Sequence, residues 1–94
     1  MRVIIADHAL AVIDLAAAFV ESQNTPGSGN RYALRFKKAI KDLAIRDVQY
    51  PICNHPHFAK LQYSCSHFNS WVIAFRIEND KLIVHEIVLA SLLI

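Results

Sequence analysis

SWVIAFRIENDKLIVHEIVLA, residues 70–90, holds two runs of β-branched and aromatic residues around the short polar segment Glu78-Asn79-Asp80. That pattern suits two antiparallel strands joined by a tight turn. Alternation along the first run puts Trp71, Ile73, Phe75 and Ile77 on one side, with Val72, Ala74, Arg76 and Glu78 on the other. The side with the large residues should meet a layer of helices. The end of the second run, EIVLASLLI, is more apolar than an edge strand should expose. It is therefore either the central strand of the sheet or an interface with another chain.

Upstream, residues 58–64 (FAKLQYS) read as a further strand, preceded by VQYPICNHP, where Pro51 and Pro56 break regular structure. RYALRFKKAIKDLAIRD, residues 31–47, has Phe36, Ile40 and Leu43 at helical spacing and Asn30 placed to cap it. QNTPGSGN holds both glycines and is the clearest loop. HALAVIDLAAAFVES, residues 8–22, is a helix apolar nearly all round, with Asp7 at its expected N-cap and the strand RVIIA before it. The order is β-α-α-β-β-β. It implies an α+β fold with two helices packed on one face of a mainly antiparallel four-stranded sheet, the other face open.

Ninety-four residues make one domain, spanning 1–94. A chain of this length buries roughly 60–65% of the surface its unfolded form exposes. The 54% hydrophobic content makes disorder an unsuitable reading and leaves apolar surface for a partner. A net charge of +2 does not by itself point to nucleic acid, but Arg31, Arg35, Lys37, Lys38, Lys41 and Arg46 cluster on the second helix. Such a run is more often a solvated face. No signal peptide is visible, and the apolar C-terminal run is too short to span a bilayer. The expected setting is the cytoplasm, where Cys53 and Cys65 should be thiols.

Chemistry concentrates in residues 53–71, CNHPHFAKLQYSCSHFNSW. Cys53, His55, His57, Cys65 and His67 are all competent zinc ligands, yet neighbouring ones are separated by one residue, where structural zinc sites use two to four. No metal and no other cofactor is expected. His55 and His67 flank the expected second strand, from which Lys60 would project. Two imidazoles and a cation are what RNA cleavage requires: a base for the 2′-hydroxyl, an acid for the leaving oxygen and a charge on the phosphate. His85, within an apolar strand, reads as a core or edge histidine.

The order of elements, together with RYALRFKKAIKDL and the closing hairpin, resembles the RelE/ParE superfamily of bacterial type II toxin–antitoxin (plasmid stabilisation) toxins. Within it, NHP at residues 54–56 and HFNSW at 67–71 are similar to the YafQ branch. The resemblance implies a ribosome-dependent mRNA endoribonuclease with His55 and His67 in the catalytic set and a cognate antitoxin as partner. Lys60 then serves as phosphate partner, Arg76 as a substitute cation and Trp71 as a packing or base-stacking group. The chain departs from the pattern at Ser70, where an acid is expected, and at Val72, where an arginine is expected. The uncharged LASLLI replaces a basic or histidine-containing end. The alternatives are a non-catalytic toxin-like binding module and a ParE-like gyrase inhibitor. A homodimer through the apolar C-terminal strand is a further expected partner mode, and no membrane association is expected.

Overall fold

The hairpin forms as its sequence dictates. In the computed structural model, which describes residues 1–45 and 48–93, strands β3 (Trp71–Glu78) and β4 (Lys81–Leu89) pair antiparallel. Asn79 and Asp80 join them with φ of 53° and 59°. Two successive left-handed residues match the right-handed twist of the flanking strands, and Asn and Asp tolerate that conformation best after glycine. Strand β1 (Arg2–Ile5) lies parallel to β4, and β2 (Ser64–Phe68) lies antiparallel to β3. The sheet order is β1-β4-β3-β2. Residues 86–89 of the apolar C-terminal run thus lie in an interior strand, the first of its two expected alternatives, while Ala90–Leu92 beyond them leave the sheet as a 3₁₀ turn.

Residues of β3 divide as their alternation requires. Ile73 and Phe75 are buried in the main core, with Trp71 packed against it, while Val72 and Ala74 belong to a second cluster on the opposite face. Strand β4 needs a correction to do the same. Simple alternation from Leu82 and Val84 would send Glu86 into the core. The register instead shifts between Ala74 and Phe75, whose partners are Glu86 and Val84, so His85 is the extra residue of a bulge. Ile87 then takes the core position beyond it.

Helices α1 (Asp7–Gln23) and α2 (Ser28–Ile45) cover the main core face. Ala9, Ile13 and Ala16 of α1 meet Phe36, Ile40 and Leu43 of α2 there. Two expected caps are displaced. Ala6 is the N-cap of α1, and Asp7 is its first helical residue, making no side-chain cap bond. The second helix begins at Ser28 rather than after Asn30, because Gly29 is a helix-packing residue and not loop. A methyl group there would lie 2.5 Å from the Ala17 carbonyl oxygen and 3.0 Å from Glu21 Cβ. The Glu21 carboxylate accepts from the backbone N–H groups of Gly27 (2.9 Å) and Gly29 (2.8 Å), satisfying donors at the start of α2. Arg46 and Asp47, the expected end of that helix, lie outside the described residues, as does Ile94.

The largest departure from the sequence reading is at residues 56–63. FAKLQYS is not a strand: Pro56–Lys60 form a short helix, α3, and the second strand starts only at Ser64. Pro56 occupies the first helical turn, where its missing N–H costs nothing and its φ is already suitable. Termination is equally local. Tyr63 N–H donates to Phe58 O and Gln62 N–H to Ala59 O, both at 2.9 Å, with Gln62 left-handed at φ 60°. These are the paired bonds of a Schellman cap, and the expected apolar contact across it is Tyr63 on Phe58, ring centroids 6.1 Å apart. Nor is the second face of the sheet open. Phe58 of α3 is 2% exposed and packs with Val72 and Ala74, covering that part of the sheet.

Candidate functional site

Cys53 and Cys65 are disulfide-bonded, their Cα atoms 5.1 Å apart, which overturns the expectation of two thiols. The sequence pattern contains the consequence. Each cysteine stands two positions before a histidine, in Cys53-Asn54-His55 and Cys65-Ser66-His67. On a strand, residues i and i+2 project to the same side, which applies to Cys65 and His67, whereas Asn54 and His55 form a bend. On β2, Cys65 pairs with Ala74 and His67 with Val72, both on the second face. His55 precedes α3 with extended backbone as its N-cap. The bridge therefore sets the two histidine-bearing segments side by side.

Between them lies a cavity of about 590 Å³. Its wall includes the disulfide, both histidines, Asn54 and Val72. Residues 90–93 close one side: Ala90 N–H donates to Ser70 O at 2.8 Å, a single 3₁₀ turn follows, and Leu93 reaches the cavity wall and the second cluster. His67 is exposed and His55 half-buried. His55 packs near the Phe58 ring, centroids 5.6 Å apart, and its Nδ1 is buried with no hydrogen-bond partner among the described residues. A buried imidazole nitrogen in that state is costly unless something polar reaches it.

The other expected site residues lie elsewhere. Lys60 is the exposed last residue of α3, not a strand residue, and does not line the cavity. Arg76 lines a different cavity of about 610 Å³ with Tyr50, Gln62 and Ser64, and its Nε stands 3.5 Å from Glu78 Oε2. Trp71 packs against the main core, its ring centroid 6.3 Å from that of Phe36, as its strand parity implies. Of the five, His55 and His67 alone are brought together. Within the described lining of their cavity, histidine is the only side chain able to carry positive charge.

His57 is exposed on α3. His85 stacks flat on Tyr63, ring centroids 4.6 Å apart and planes 4° apart, and serves packing on the second face. No group of three metal-ligating side chains is present among the described residues. Their helices include none long and apolar enough to cross a membrane. On α2, Arg31, Arg35, Lys38 and Lys41 are exposed, and Lys38 reaches Asp42 at 3.1 Å one turn on. No protein-family model, curated protein or solved structure matches the chain.

Proposed function

We propose that this chain is the toxin of a type II toxin–antitoxin pair of the RelE/ParE kind, and that it cleaves ribosome-bound mRNA with His55 and His67 as its acid and base. The observation that carries the reading is their convergence on one cavity although eleven residues separate them in the chain. Imidazole exchanges protons near neutral pH, so one ring can accept while the other donates. The neutral histidine takes the proton of a ribose 2′-hydroxyl. The freed oxygen attacks the adjacent phosphorus, and the protonated histidine donates to the departing 5′ oxygen, leaving a 2′,3′-cyclic phosphate. With Lys60 and Arg76 outside the cavity, the imidazolium also supplies the positive charge at the phosphate. Trp71 has a packing role.

The retained β-α-α-β-β-β order of the longer elements supports the family assignment, with α3 as an addition on the second face. An antitoxin segment that folds on binding has two kinds of surface available: the basic face of α2 and exposed Leu15, Phe19 and Leu34 on the helical layer. Since β4 is paired on both sides, a homodimer at the C-terminal part of the chain would use exposed Leu92 instead of strand pairing. The setting is the cytoplasm.

The position of Lys60 and Arg76 favours one competing reading, a toxin-like module that binds an antitoxin and does not cleave. Tightly induced expression in bacteria separates the two. Growth arrest relieved by the product of the neighbouring gene, and lost in His55→Ala and His67→Ala, is the expected result. Unimpeded growth with soluble protein would point to the binding module. Arrest undiminished in both variants, with altered plasmid supercoiling, would point to gyrase.

A further inference from the structure

We propose that the Cys53–Cys65 disulfide is a redox switch that assembles and releases the histidine cavity. The proposal regulates the same site and rests on the cytoplasmic setting of the reading above. Three observations carry it. The bridge forms part of the cavity wall itself, and both of its cysteines are half-buried, so the cavity is the route by which a reductant would approach them. The two histidines are mounted unequally: His67 is fixed by β2, which is paired along its length to β3, whereas His55 lies outside the sheet in the segment that precedes α3. Among the described residues, the bridge is the sole covalent cross-link between these two segments, which the main chain otherwise joins only by way of α3. The non-covalent hold consists of the Cys53 N–H to Tyr63 O bond (2.8 Å), the Ser64 hydroxyl donating to Tyr50 O (3.4 Å), the Ala59 N–H donating to His55 O (2.8 Å) and the packing of Phe58.

A disulfide in a reducing compartment is typically transient and regulatory rather than structural. The step is ordinary thiol–disulfide exchange with a dithiol reductant. One thiolate of the reductant attacks a sulfur of the bridge, forming a mixed disulfide and releasing the other cysteine. The second thiol of the reductant displaces the first cysteine. Two electrons and two protons pass to the protein, which gains two thiols, and the reductant leaves as its disulfide. The core of α1, α2 and the opposite sheet face is untouched, because neither cysteine belongs to it. What changes is the hold on residues 51–56, hence the position of His55 opposite His67. The oxidised form is the competent one.

The test uses the full chain and dithiothreitol, with thiols counted and the histidine ring signals followed by NMR. Appearance of two thiols should move the His55 and His67 signals and speed exchange of the Cys53 amide, whose N–H donates to Tyr63 O, by at least about tenfold, while β3 and β4 amides stay put. Reoxidation should restore both, and the Cys53→Ser/Cys65→Ser double variant should match the reduced spectrum. Two titrated thiols with both histidines and the exchange rates unchanged would overturn the switch. So would failure of excess dithiothreitol to release thiols from the folded protein. RNA cleavage is measured in parallel on both forms; its absence from both would count against the ribonuclease reading alone, since the ring signals report on the switch without it.

Discussion

At the scale of single residues, Glu21 and Gly29 fix the junction of the two long helices. The backbone N–H groups of Gly29 and then Gly27 hold the Glu21 carboxyl below the usual carboxylate range, with the Arg31 charge assisting. A carboxyl with a lowered folded-state pKa contributes stability above its unfolded value, about 4.3 for glutamate, and that contribution is lost as pH falls through the lowered value. Wild type should therefore be more stable than Glu21→Gln at neutral pH, with the gap closing in acid; melting temperatures across the acid range check this. Equal pH slopes for the two proteins would remove the assigned role. Gly29→Ala should cost about 1–3 kcal/mol, because the added methyl collides with backbone and the helices must part. Denaturant midpoints measure it.

At the scale of elements, the long ones were legible in the sequence and the short ones were not. β3 could be read because its alternation runs unbroken, and the β3–β4 turn because Asn79-Asp80 suits left-handed backbone. The histidine pair was legible too, as residue types, though not what brings it together. Two features were hidden. α3 has only five residues, too few for helical periodicity to register, and its cap uses Gln62 where the readable signal is glycine. β2, with the sequence SCSHF, has a single strong β-former, Phe68 at its end, and acquires its identity from pairing with β3. The shifted strand reading also misplaced Lys60. Because Gln62 sits at φ 60°, Gln62→Gly should raise stability by about 0.5–1 kcal/mol with the fold unchanged, the relief of left-handed strain exceeding the added chain entropy. Chemical denaturation tests it, and a loss of stability would contradict the cap assigned here.

At the scale of the whole molecule, the sheet separates two tasks. One face carries the main core under α1 and α2. The other carries a smaller cluster, a disulfide and the cavity with both histidines. The bridge closes a loop across twelve positions, and in the chain-entropy account a loop of that order contributes about 3 kcal/mol. Stability of the second face and geometry of the cavity thus depend on the same bond. Cleavage of ribosome-bound mRNA by the purified oxidised protein is the measurement that bears most directly on the function. Wild type should yield fragments ending in a 2′,3′-cyclic phosphate, and His55→Ala and His67→Ala should each slow cleavage by about 100-fold or more. Lys60→Ala and Arg76→Ala should leave the chemical step nearly unchanged. Cleavage that survives both histidine variants, or is abolished by Lys60→Ala alone, would contradict the assignment of the cavity as the reacting site.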